Sequence, residues 1–206
     1  MPAFIRAFFA ANPLSQLGLV LARNGICERL TDLSGMPEAH VTALAAALRI
    51  GNGGGGSSAA SGPVFGGDFS LQNALDLAVM TLGPIPPYGT REVLLLQSAL
   101  ATCDPGNIHK SVADAKAARL RVSVVGLSAE VSFATPPALQ PCRCAHLPAR
   151  AQMHVARRLT EETGGTYGVA LSEGHLDELV MAHAPPPPAL ARAHPRCIAM
   201  RCRMWG

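Results

Sequence analysis

Apolar residues recur along this chain with two different periods, and the order in which the periods appear sets the expected elements. Phe4, Ile5, Phe8 and Phe9 fall on one face of a helical repeat, so residues 3–11 are predicted as an amphipathic helix ended by Asn12-Pro13. Leu17–Ala22 is a short apolar run of strand length. Asn24-Gly25 is a hairpin signal, and Ile26–Leu33 alternates as an antiparallel edge strand would. Ser34-Gly35-Met36-Pro37-Glu38 starts a second helix, with Val41, Leu44, Ala45 and Leu48 on its apolar face.

The second half repeats the alternation. A helix starts at Asp68 or Ser70 and runs to about Leu82, with Leu71, Ala74, Leu75, Ala78 and Val79 inward; Gly83-Pro84 stops it. Glu92–Leu100 is a buried strand, residues 106–119 a helix and Val122–Leu127 another buried strand. A helix over His154–Thr163, a short strand over Thr166–Ala170 and a helix over Ser172–His183 complete the series. Strands and helices in alternation predict an α/β fold: an open, mostly parallel sheet with helices on both faces. The expected domain spans residues 3–184, with insertions at 50–67 and 134–152, and a Pro-rich tail over 185–206 is read as disordered.

Composition narrows the function classes. The 206 residues are 49% hydrophobic and 15% charged, with a formal net charge of +3. That is enough apolar residue for one core, and too little basic charge for a dedicated DNA-binding face. No run approaches the roughly 18 apolar residues of a membrane span, so no membrane role is expected. The N-terminal segment carries one arginine and no acid before Glu28; an amphipathic helix accounts for it better than a transit peptide. Six cysteines are sparse for this length, which indicates a reducing compartment and no disulfide framework.

Candidate chemistry concentrates at the carboxyl ends of the predicted strands. Thr102-Cys103-Asp104 follows one of them, which admits a cysteine nucleophile or an oxygen-ligand metal site. Helix capping, with Asp104 as N-cap and Pro105 at the first helical position, explains the same residues and is preferred. Gly126-Leu127-Ser128-Ala129-Glu130 has part of a nucleophile elbow but lacks its second glycine. The Gly-rich stretch 50–67 lacks the Gly-Lys-Ser/Thr of a phosphate loop. Cys142, Cys144, Cys197 and Cys202, with His146, supply zinc-type donors, but Cys-x-Cys is tighter than the usual knuckle, so isolated loop cysteines are the simpler reading. The other histidines, His40, His109, His154, His175, His183 and His194, show no ligand spacing.

Several segments taken in order carry a resemblance. They are Asn12–Gly18, Leu30–Gly35, Arg91–Leu94, Thr102–Ile108, Arg121–Val131, Thr163–Tyr167 and the prolines after His183. Together, over about residues 3–188, they resemble the von Willebrand factor A-like domain of the Ssl-one-type subunit of general transcription factor IIH. The resemblance implies a nuclear, non-enzymatic module of the TFIIH core. It would bind and stimulate the XPD-type DNA helicase in transcription initiation by RNA polymerase II and in nucleotide excision repair, touching DNA only through the complex.

On this reading the partner-binding candidates are Thr102, Cys103, Asp104, Pro105, Asn107, Ser128, Ala129 and Glu130. Three departures from the family pattern accompany it. The family's first strand has no counterpart before residue 3, so a central sheet position is expected to be empty. The 134–152 insertion splits a continuous family segment. The last residues, from Arg196, do not match the family's zinc modules, so no zinc is carried over, and no magnesium is expected where Gln97-Ser98-Ala99 stands in place of the carboxylate. The alternatives are a small α/β hydrolase-like enzyme using Cys103 or Ser128, and an A domain of another assembly such as the ubiquitin-receptor subunit of the proteasome.

Overall fold

The computed structural model describes residues 1–23, 25–52, 69–86, 89–98, 102–127, 149–186, 197–199 and 202–203. Helix α1 (Pro2–Ala11) buries Phe4, Ile5, Phe8 and Phe9, the face its spacing predicted. Each contributes on the order of 2 kcal/mol of apolar burial. Strands β1 (Leu17–Arg23) and β2 (Ile26–Ser34) form an antiparallel hairpin. Its turn needs Gly25, whose φ of +70° lies in the left-handed region. Helix α2 (Pro37–Asn52) follows and takes in the first three residues, 50–52, of the stretch expected as an insertion. It buries His40 and Leu44, while Ala45, expected inward, is exposed.

Helix α3 (Leu71–Leu82) leads to strand β3 (Thr90–Gln97), which begins two residues earlier and ends three earlier than its apolar run suggested. Helix α4 (Ile108–Ala117), strand β4 (Leu120–Gly126), helix α5 (Ala149–Thr163), strand β5 (Tyr167–Val169) and helix α6 (Glu173–Met181) continue the alternation. Helix α5 begins inside the segment expected as the 134–152 loop. Among the described residues no helix is long and apolar enough to cross a membrane.

The sheet is parallel, in the order β5, β4, β3. On the far side of β3 lie two further short strands, β6 (Cys197–Ala199) and β7 (Cys202–Arg203), also parallel to it. Two expectations change here. Part of the tail read as disordered is strand, and the position beside β3 expected to be empty is occupied. Periodicity could not show this, because three- and two-residue strands leave no pattern to read.

Side chains from alternate strand positions feed two apolar layers. Val93, Leu95, Val122 and Val124 face α3, α4 and α5. Leu94, Leu96 and Val125 face α1, α2 and α6. Burial on both faces is what a parallel sheet covered by helices requires, and explains the near-continuous apolar strands.

Candidate functional site

The loop after β3 is built against the start of α3. The Asp104 carboxylate accepts hydrogen bonds from Gln72 N (2.8 Å), Ser70 Oγ (3.2 Å) and Thr102 Oγ1 (3.0 Å). Ser70 in turn caps α3, its Oγ accepting from Asn73 N at 3.2 Å. Cys103 N donates to Phe69 O at 2.5 Å, and Gly106 N to Gln72 Oε1 at 2.8 Å. Residues 69–72 and 102–106 are thus fastened together by backbone and side chain. The hairpin turn joins them, since Asn73 Nδ2 donates to Gly25 O at 2.5 Å. Glycine suits position 106, where an added Cβ would sit 3.2 Å from the Gln72 amide.

This arrangement corrects one sequence expectation. Asp104 takes the free N–H of Gln72 in the first turn of α3, 32 residues back, and does not cap α4. Asn107 caps α4, its Oδ1 accepting from His109 N at 3.0 Å. Local spacing alone favoured Asp104-Pro105, because an Asp followed by Pro reads as an N-cap and a first helical position. Ser70 and Gln72 were missed as partners because nothing local marks a contact across more than thirty residues.

The site residues fall into two groups. Thr102, Cys103 and Asp104 are half-buried, while Pro105, Gly106 and Asn107 are exposed. Ser128, Ala129 and Glu130 lie outside the described residues, as do Cys142, Cys144 and His146 of the zinc-type set. Cys103 is disulfide-bonded. A disulfide sulfur carries no free thiolate, so the reading of Cys103 as a nucleophile is corrected. Cys27 is a free thiol in β2, and desolvation pushes its pKa up to about 11, which keeps it protonated at neutral pH.

A second polar cluster locks the hairpin to α2. His40 is fully buried, with Nδ1 at 2.8 Å from Thr31 Oγ1 and Nε2 at 3.0 Å from Ser34 Oγ and 3.3 Å from Ser34 O. Leu19 N donates to Thr31 Oγ1 at 3.0 Å, leaving that hydroxyl's own proton for Nδ1. The network therefore assigns a neutral imidazole with its proton on Nε2. Phe9 of α1 stacks on the ring, with centroids 6.1 Å apart and an interplanar angle of 6°. Burial lowers the His40 pKa, and the Ser34 carbonyl opposes that only in part. Sequence reading left this histidine among the unplaced ones.

Farther along the sheet, Arg91 fixes the amino end of β3. Its guanidinium donates to Ala118 O, at 2.6 Å, and to Ile85 O. A cation on the last carbonyls of α4 also matches that helix's negative end. Gly165 packs so closely that an added Cβ would fall 1.7 Å from Val122 O, which explains the second glycine of Thr163-Gly164-Gly165-Thr166.

Comparison with solved structures bears on the fold. The chain is similar to the SpRpn10 VWA domain, with a TM-score of 0.51 and 13% identity over 86% of this chain and 76% of that one. It is similar also to an aerotolerance-related membrane protein from Bacteroides fragilis, with a TM-score of 0.52 and 14% identity over 89% of this chain and 85% of that one. At such identities the likeness concerns the fold alone, a von Willebrand factor A-like α/β sheet.

Curated relatives are closer. General transcription factor IIH subunit 2 of Arabidopsis thaliana is 45% identical over 189 residues, 92% of this chain and 36% of the relative. The transcription and DNA repair factor IIH subunit ssl1 of Schizosaccharomyces pombe is 34% identical, over 89% of this chain and 36% of the relative. General transcription factor IIH subunit 2 of Caenorhabditis elegans is 34% identical, over 91% of this chain and 40% of the relative. The chain thus spans between a third and two fifths of the length of these relatives. The sequence model described as Ssl1-like matches residues 1–140 and 138–202. With nearly its whole length matched, and with the A-like fold the match requires, this chain belongs to the Ssl1-like family.

Proposed function

We propose that this chain acts as a non-catalytic subunit of the TFIIH core in the nucleus, where its A-like domain binds and stimulates an XPD-type DNA helicase. Transcription initiation and nucleotide excision repair are the processes served, and DNA is met only through the assembled complex. The observation that carries the reading is the 45% identity to a TFIIH subunit 2 along 92% of the chain. The Asp104 clamp supports a binding rather than a chemical role. It spends its polar groups on fixing two loops, and offers the exposed Pro105–Asn107 turn as a rigid knob. A surface that is already ordered avoids part of the entropic cost of association. The partner-binding set remains Thr102, Cys103, Asp104, Pro105 and Asn107, with Ser128, Ala129 and Glu130 on the neighbouring loop.

The test is affinity for the purified helicase, read together with its ATPase rate. Pro105→Arg changes an exposed side chain, and Asn107→Asp keeps the cap of α4 while adding charge. Each is expected to weaken binding at least tenfold with the unfolding midpoint unchanged. Affinities within twofold of the parent would place the interface elsewhere. A parent chain that neither binds nor stimulates the helicase would overturn the partner itself.

A further inference from the structure

Helix α6 is anchored by Leu176, Leu179 and Val180, which pack into the layer it shares with α1 and α2. Its other side carries features that the fold itself does not call for. Gly174, Asp177, Glu178 and Met181 follow i, i+3, i+4, i+7 spacing and all are exposed, so they form one outward stripe. A Cβ at Gly174 would meet nothing within 4 Å, and its φ lies outside the left-handed region. A glycine there weakens the helix relative to alanine, with no turn or close contact inside the chain to require it. Glu178 stands in the last turn, which has no basic residue, so its charge opposes the helix dipole. Glu173 and Asp177 are like charges one helical turn apart. Elsewhere Glu38 is paired with Arg6, Asp32 with Arg29 and Glu162 with Arg158. Among the described residues, none of the three α6 carboxylates has a cationic partner. Met181 is 40% exposed, and Leu171, just ahead of the helix, 77%.

We infer that this outward stripe of α6 is a docking face for a basic amphipathic helix of another protein. Charge fixes the sign of the partner. Around the helix axis, Gly174 and Met181 lie between Asp177 on one side and Glu178 on the other, so lysines or arginines bordering an apolar ridge would meet carboxylates on both flanks. The ridge itself would cover Met181. At Gly174 the two backbones can come close, a contact that any side chain would hold apart. Each feature that weakens α6 in the free chain is then used in the complex. The face lies on the α1 and α2 side of the sheet, whereas the 102–106 loop is fastened to α3 on the other. The inference is therefore independent of the helicase reading.

The test uses the full chain and a synthetic helix of leucine, alanine and lysine, its lysines bordering a single leucine stripe; the same peptide with glutamate for lysine is the control. Amide resonances over 171–182 are expected to shift with the lysine peptide and not with the glutamate one, and the affinity to fall as salt is raised. Glu178→Lys should weaken binding about tenfold, whereas Asp114→Lys, an equal change of charge on α4 across the sheet, should leave it within about twofold. Gly174→Ala should weaken it about fivefold while the unfolding midpoint holds or rises. No shifts over 171–182, or equal losses in Glu178→Lys and Asp114→Lys, would overturn the inference, the second by showing attraction to net charge alone. A Gly174→Ala chain that binds as its parent does, or that unfolds more readily, would overturn it too, the latter by showing that the fold itself needs the glycine.

Discussion

Replacing Asp104 should destabilise the start of α3 far more than the start of α4, and the structure sets the size of the effect. In Asp104→Ala the helix loses a capping acceptor at Gln72 N, worth about 1 kcal/mol. It also loses a negative charge at its positive end, worth about 0.3–1 kcal/mol. The buried Ser70 hydroxyl and the half-buried Thr102 hydroxyl lose their acceptor, for roughly 1 kcal/mol more. The total is about 2–3 kcal/mol, a drop of about 5–10 °C in Tm for a chain of this size. Asp104→Asn keeps an acceptor for Gln72 N and gives up mainly the charge, so it should cost about 0.5–1 kcal/mol. Urea unfolding followed by circular dichroism measures both, with an unchanged m-value as the sign that only the native contacts were altered. The double variant with Ser70→Ala should be less destabilised than the sum of its parts, because the two side chains share one hydrogen bond. An alanine variant within about 0.5 kcal/mol of the parent, or an asparagine as costly as the alanine, would refute the assignment of Asp104 as the cap of α3.

Two other outcomes follow from particular contacts. His40 is held neutral by burial, so its folded pKa lies below the roughly 6.5 of an unfolded chain. Below that value the unfolded state binds the extra proton, so stability is intact above about pH 6.5 and falls as pH drops, by at most about 1.4 kcal/mol per unit; urea midpoints from pH 8 to pH 5 should show this slope, and His40→Gln should lose it. Gly165→Ala should cost at least about 2 kcal/mol, because its Cβ meets the Val122 carbonyl, whereas Gly164→Ala, with φ of +70° and open space around it, should cost only about 1 kcal/mol; equal midpoints for the two variants would contradict the packing described.

The parts legible in the sequence were those with a long period. The face of α1 and the end of α5 at Thr163 stand where local pattern put them, and β3 and β4 are strands where the apolar runs predicted them, with ends shifted by one to three residues. What local pattern could not carry is any contact whose partners are far apart along the chain. Asp104 was recognised as a cap, but its helix lies behind it rather than ahead. His40 was invisible as a structural residue because Thr31 and Ser34, which make it one, come from the neighbouring strand. The tail strands escaped for a different reason: five paired residues gain their stability from β3, not from any propensity of their own.

The Asp104 clamp also bears on how freely the chain can change in length. Residues 53–68 connect α2 to α3, and both ends of that connection are fixed independently, one by His40 against the hairpin and the other by Asp104 against α3. Closing a loop between two anchored points costs only about 0.6 kcal/mol more each time its length doubles. The Gly/Ser stretch can therefore lengthen, shorten or accept a foreign sequence at little thermodynamic cost, while a single substitution at residue 104 is felt at once. The clamp makes the sequence between α2 and α3 a place to graft a tag or a reporter without disturbing the turn beside it.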